Sequence, residues 1–484
     1  MTLPTSQPPS AAALAAHRFG LGEPDLRVIG ADARAWLLAQ IGPADPQQGA
    51  DLPSLGVALT TQINARGDAS EAARAALRAQ VQADMRARLV TAATSTRPFA
   101  ERVALFWCNH FTVSLGKGSS QGLVGAFERE AIRPHIAGRF VDLLQAAITH
   151  PAMLRYLDNH LSAGPQSAVV QRVHRRSQAS NNAANTPNTP DTPNTTPTPR
   201  LTGLNENLAR ELLELHTLGV AGGGGVYGPW GGYGQADVTA LAGVLTGWRG
   251  PRPGDGLPVN TQPPQADAVF DARWHQPGPK TVLGRRYDEG QQALAAVLQD
   301  LARHPSTGRF IATKLARHWV ADEPPPALVA RLAQRFADSD GDLPTLYRAL
   351  IDAPEAWHAA PAKLKTPEEF VVSSARLLRL GDRLAQRAAD AGLTALGQRP
   401  QAAPSPAGWP DAAPAWLGPE AVWQRVEWAV QVADRWGANV DARALASASL
   451  GPLLSEATRS QIDRAADGPQ ALALLLMSPE FQRR

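Results

Sequence analysis

Wherever this sequence has a hydrophobic rhythm, its apolar side chains return every third or fourth residue, and runs that alternate apolar with polar are scarce. That rhythm suits a helix with one buried face and fits poorly on a pleated strand. It predicts an all-α, mainly helical protein, with helices over 11–17, 31–41, 68–94, 101–112, 128–147, 152–157, 307–320 and 419–436 and a last one ending at Met477. Hydrophobic residues make up 44% of the 484 and charged ones 19%, enough apolar material for a packed core. The expectation is one large multi-helix domain with an N-terminal part over 1–162, a central part over 201–397 and a Trp-rich C-terminal segment over 419–484.

Composition then removes several function classes. A formal charge of +3 gives no electrostatic case for nucleic acid as a partner. One cysteine, Cys108, excludes intramolecular disulfides and any cysteine-cluster zinc site. Without a motif around it, Cys108 reads as a small buried hydrophobe. No run approaches the roughly 18 apolar residues of a membrane span, and 1–16 lacks the basic and apolar regions of an export signal. The expected location is therefore cytoplasmic. Among 47 Lys and Arg residues only Lys117, Lys280, Lys314, Lys363 and Lys365 are lysines, so each lysine invites a reason.

Three segments break the helical pattern. From 163 to 200 the chain becomes polar, with a basic stretch (172–176) and then a near-tandem Asn-Thr-Pro tract. Its side chains cannot offset their own ordering entropy, which predicts a disordered insert. A basic docking tail is the alternative. A Pro- and Ala-rich loop is expected over 398–418. Near 268–287 two short strands flank Gln276-Pro277-Gly278-Pro279, which suggests a β-hairpin closed by that turn.

The most informative helix spans 205–220. At about 100° per residue, Leu208, Ala209, Leu212, Leu213 and Leu215 share a face with His216 at its middle, and Gly219 marks the stop. Asn207, Arg210, Glu211 and Glu214 lie opposite, with Leu218 an apolar intruder among them. That polar stripe is either a solvated face with local ion pairs or a set of acid/base or metal carboxylates facing a pocket. Glu214 stands where a di-iron bundle would have histidine, which argues against a di-iron centre. His216 is either a satisfied core imidazole or, with His110 from another helix, a ligand or base. His110, His216, Glu211 and Glu214 are thus the metal candidates, although the metal and any cofactor stay unknown.

Elsewhere the signals are weaker. His275 and Lys280 bracket the expected turn and read as turn decoration or as loop residues that bind a ligand. Lys314, Arg317 and His318 form either an anion-binding stripe or stems lying over apolar surface. Asp338 to Asp342 imitates a calcium loop with its glycine misplaced, and a helix N-cap at Asp342 or a neighbour is the better reading. The glycine run at 222–225 lacks the Lys-Ser/Thr of a phosphate loop.

Several phrases in order carry a resemblance. They include His17-Arg18-Phe19-Gly20 near the start, Phe106-Trp107-Cys108-Asn109-His110-Phe111, Asn207-Leu208-Ala209-Arg210-Glu211-Leu212, the stretches 237–248, 280–284 and 304–322, Lys365-Thr366-Pro367-Glu368-Glu369-Phe370, and Pro479-Glu480-Phe481. Together they make the chain resemble the bacterial domain of unknown function 1800 (DUF1800) family over nearly its whole length. The resemblance implies a helical protein encoded beside a sulfatase-like (DUF1501-type) partner that often carries a twin-arginine export signal, so co-export to the periplasm with that partner is a second expectation. The family commonly has an acid after the hairpin histidine, where this chain has Gln276, which weakens a metal role for His275.

Two classes of function follow. The first is a non-catalytic companion that aids maturation or co-export of the sulfatase-like neighbour. The second is an enzyme, a metal-dependent hydrolase or an oxidoreductase, with a buried site built from His110, Asn207, Arg210, Glu211, Glu214 and His216. In it Glu211 is base or ligand, Arg210 the anion clamp, and the histidines ligands or proton carriers.

Overall fold

The computed structural model describes residues 11–67, 70–184, 203–219, 232–250, 268–358 and 361–484. As the hydrophobic period requires, helices dominate. The body expected as one large domain divides into two compact units, one from residues up to Leu143 and from Gly308 to Arg484, the other from Leu144 to Thr307.

In the first unit the helices start where the sequence supplies caps. Ser70 accepts from the Ala73 N–H to open Glu71–Thr94, and Pro98 fills the first turn of Pro98–His110. Asp342 accepts from the Thr345 N–H at 2.9 Å to open Leu343–Asp352, so it is a cap and not a calcium ligand. Thr366 and Glu369 close a reciprocal capping box at the head of Pro367–Leu377. Val81, Met85 and Leu89 pack with Phe370, Val371 and Ala375, and this core continues through Trp428 and Val432 to Leu472 and Leu476. A second, aromatic cluster joins Phe99, Phe106 and Trp107 to Trp319, and Trp107 donates from its indole N–H to the Tyr347 hydroxyl at 2.7 Å.

The helix expected over 128–147 is interrupted. A π-turn at Glu128–Ile132 runs into a 3₁₀ turn at Arg133–His135, and a new helix, Phe140–Thr149, begins beyond Gly138. Pro134 supplies no N–H to an α-helical ladder, so the break falls there.

The second unit carries the β elements, and the hairpin reading needs correction. Two ribbons exist where one was expected: Trp248–Arg249 pairs antiparallel with Val269–Phe270, and Lys280–Val282 pairs with Arg285–Tyr287. The tight turn of the latter is Leu283-Gly284, both at positive φ, as a two-residue primed turn demands. The expected insert is also corrected in part, since Ala168–Ala184 is a helix; its Asn-Thr-Pro tract at 185–200 lies outside the described residues, as does the glycine run at 222–225. No helix among the described residues is long and apolar enough to cross a membrane.

Candidate functional site

A cavity of about 720 Å³ opens in the first unit, with walls from helices distant in sequence. Leu21, Leu105, Phe106, Val372 and Trp409 supply apolar wall, while Arg88, Arg102, Lys314, Arg317, His318, Glu369 and Asp411 supply charge. The floor is an ion network that local structure fixes in place. The capping box aims Glu369, whose two oxygens accept from the Thr366 N–H at 2.9 Å, from Arg484 Nε at 2.9 Å and from the Arg102 guanidinium. Arg484, itself fully buried, also donates to Asp411 Oδ1 at 3.0 Å and to the His318 carbonyl. Buried Lys363 pairs with Asp322 and Asp411. Beside them Arg88 bridges Glu128 and Glu368.

Burial would raise a carboxyl pKa, yet the adjacent guanidiniums of Arg484 and Arg102 hold Glu369 down to about 2. The hydrogen bond from His318 and the charges of Arg484 and Lys363 likewise hold Asp411 below the ordinary carboxylate range against burial. His318 faces Asp411 through Nδ1 at 3.2 Å, while its Nε2 accepts from Arg102 Nε at 3.3 Å. This fixes the tautomer with the proton on Nδ1, and burial lowers the imidazole to about 4, so His318 is neutral at physiological pH.

Lys314 differs from every other cation of the floor. It lines the cavity one turn before Arg317 and His318, and no hydrogen bond or ion pair ends on its Nζ among the described residues. Its Nζ lies over the face of Phe310, 5.5 Å from the ring centroid. Burial lowers it to about 8, with Asp411 opposing the shift and Arg317 adding to it. The reading of Lys314, Arg317 and His318 as stems over apolar surface is thereby replaced by a polar cavity wall.

Over the cavity runs the segment expected to be a loose Pro-rich loop. It is tied down instead. Asn109 donates from Nδ2 to the Trp409 carbonyl at 2.9 Å and accepts from the Trp409 N–H at 2.8 Å, and Ser114 donates to the Ala403 carbonyl at 2.7 Å. Those bonds place Asp411 and Trp409 in the wall. His110, in the same helix as Asn109, is buried, lines the cavity and stacks near Phe106, with ring centroids 6.4 Å apart.

The remaining sequence candidates belong to the second unit. The helix Asn207–Glu211 continues into a π-turn, Leu212–Thr217, which adds a residue to the turn. The uniform helical wheel therefore fails at its end: Leu218 is buried and Leu215 only half-buried, while Leu208, Ala209, Leu212 and Leu213 are buried as expected. His216 is fully buried. Asn207 and Arg210 are exposed. Arg210 donates to Gln235 at 3.0 Å beside Glu206, which also accepts from Thr239 and Gln235 at 2.7 Å each, so its guanidinium serves a surface cluster. Glu211 and Glu214 are half-buried; burial and then Glu214 raise the Glu211 carboxyl, and Arg210 opposes them. Burial and then Glu214 push the Tyr233 phenol up to about 12.

His275 and Lys280 are buried rather than displayed on a turn. Nδ1 of His275 donates to the Thr246 carbonyl at 2.8 Å, and Nε2 accepts from Lys280 at 3.0 Å. Burial lowers both groups. The Cys108 thiol is half-buried, and burial raises it well above its ordinary range, which fits an inert residue. Among the described residues, no group of three or more His, Cys, Asp or Glu side chains could hold a metal ion.

Sequence reasoning missed Glu369, Asp411, Arg102 and Arg484 as site residues. The Thr366-x-x-Glu369 capping box was a usable signal for one of them. Asp411 had none, since its stretch has no period.

No curated protein and no solved structure matches the chain. The profile of the family described as "Protein of unknown function (DUF1800)" matches residues 14–483, nearly every residue from His17-Arg18-Phe19-Gly20 to the closing arginines. The chain belongs to that family.

Proposed function

We propose that the protein is an enzyme that binds a small anionic substrate in the cavity of the first unit and moves protons on it with Lys314, which stands beside the fixed His318–Asp411 pair. The observation that carries this reading is the charge balance of the wall. Glu369, Asp411, Asp322 and Glu368 are each committed to a protein cation, whereas Lys314 has no protein counter-ion. Arg317 beside it gives only its Nε, to the Asp322 carbonyl at 3.1 Å. The remaining lining carboxylate, Glu323, is exposed at the rim, so the spare positive charge lies in the inner wall, which with its apolar flanks suits a small organic anion. A wall amine lowered to about 8 suits general acid–base work near neutral pH.

Calorimetric titration of the full chain with citrate, phosphate and pyruvate tests this. At least one should bind saturably, and Lys314→Met should weaken it by roughly tenfold or more. Lys117→Met, outside the wall, should leave it unchanged. Binding by none of the three, or binding indifferent to Lys314, overturns the reading.

A companion role toward the sulfatase-like (DUF1501-type) neighbour is the second reading. The observation that favours it is a run of exposed apolar side chains, Leu417, Val422, Trp423 and Val430, on and before the helix Pro419–Trp436, with Trp423 59% exposed. Co-purification with that neighbour, lost in Trp423→Glu, is its expected mark.

A further inference from the structure

We propose that Lys314 is a covalent catalyst that forms an imine with the carbonyl carbon of a small 2-oxo acid bound in the cavity. This deepens the reading above and rests on it.

In a chain with five lysines among 47 basic residues, arginine is the default cation. Arginine is also the better anion clamp, since its fork meets a carboxylate bidentately and it stays charged. Lysine offers one property arginine lacks: an amine that can lose its proton and attack a carbonyl. A lysine in this wall, one turn before Arg317, is therefore better matched to bond formation than to charge alone.

Lys363 is fully buried and paired with Asp322 and Asp411. Lys280 is spent on His275 and the Gln276 carbonyl. Lys365 is only 1% exposed, lies over Phe481 at 4.1 Å and does not line the cavity. Lys117 does not line it either. Lys314 alone among them faces the cavity with an uncommitted Nζ, and burial leaves a substantial neutral fraction near its lowered value of about 8.

The surroundings supply the rest. Arg317, which gives only its Nε to the Asp322 carbonyl, lines the same wall and can receive the carboxylate of the oxo acid. In the step, the Lys314 nitrogen lone pair forms the C–N bond while the carbonyl π pair moves to oxygen. The nitrogen then loses its two amine protons in all, the oxygen gains two, and water leaves as the C=N bond forms. Both ring nitrogens of His318 are engaged, by Asp411 and Arg102, so these protons pass through water in the cavity. Amine and oxo acid give imine and water, with no other reactant.

The test is reductive trapping. The full chain is incubated with pyruvate or 2-oxoglutarate and sodium cyanoborohydride, and intact mass and peptide maps are read. One oxo acid should be fixed per chain, most of it on Lys314, and the label should rise as pH increases toward 8. Lys314→Arg should abolish the label while still binding pyruvate in calorimetry. Binding without trapping defeats the imine and leaves the proposed function standing. Label on Lys365, or spread evenly over the five lysines, defeats the imine too. Absence of both binding and label defeats both. Mapping the unaltered chain answers the question even if a variant misfolds.

Discussion

Glu369→Ala should cost about 3–5 kcal/mol of stability, the loss typical when one side of a buried ion pair is removed and the other is left behind. The reason is that this carboxylate serves two buried guanidiniums, Arg102 and Arg484, as well as the first N–H of its own helix. Urea unfolding followed by circular dichroism reads it. Glu369→Gln, which keeps an acceptor oxygen and the capping geometry, should lose less. A carboxyl held down to about 2 stabilises the fold fully above its ordinary pKa near 4.5 and progressively less as pH falls toward 2. The gap between the native chain and Glu369→Ala should therefore shrink across that window. A loss under about 1 kcal/mol at pH 7 would mean the floor of the cavity is not the buried network described.

Gly408→Ala should be nearly as damaging and should act on the site itself. Gly408 holds φ at +84°, and a Cβ there would lie 2.5 Å from the Asn109 carbonyl oxygen and 2.6 Å from its Oδ1. Left-handed strain of about 1–2 kcal/mol and overpacking of about 1–3 kcal/mol would add. The clash falls on the residue that holds Trp409 by two hydrogen bonds, so the wall carrying Asp411 should loosen and anion binding should weaken with stability. Gly397→Ala separates the two costs, because Gly397 has φ +83° with nothing within 4 Å of its Cβ position. It should show the strain alone and spare binding. Equal effects of the two substitutions on binding would remove Asn109 and Gly408 from the account.

Much of this fold was legible in the sequence because helical periodicity is a local property. The apolar faces, the cap at Asp342 and the stop at Gly219 all depend on residues within one turn of each other. The misplaced hairpin shows the limit of that reasoning: Pro277-Gly278-Pro279 carries the stronger turn signal, yet the primed turn falls on Leu283-Gly284, where a leucine accepts positive φ. The π-turn at Leu212–Thr217 displaced Leu215 and Leu218 from the faces that a uniform wheel assigns, and no residue type announces it.

The candidate site was less legible because its parts are distant. The Lys314-Arg317-His318 stripe was visible, but what turns it into a cavity wall is Asp411, Glu369 and Arg484, and Arg484 meets His318 across 166 residues of sequence. Periodicity cannot carry that information. The Glu211 and Glu214 pair attracted attention because both lie in one turn, and burial does raise Glu211, yet its neighbour Arg210 is engaged with Gln235 at the surface.

On the proposed function, Lys314 is kept without a protein partner, at a cost in stability, for the sake of a ligand. The most direct measurement is the unfolding free energy of the native chain and of Lys314→Met from pH 6 to 11. An ammonium lowered from 10.5 to about 8 means that between those values the unfolded chain holds a proton the folded chain has lost, so native stability rises with pH there. Methionine has no such term. Lys314→Met should be more stable below pH 8, by about 0.5–2 kcal/mol, the advantage should fade by pH 10.5, and the variant should bind the anion about tenfold or more weakly. A variant that is less stable than the native chain at pH 7, with a gap that does not move with pH, would contradict it.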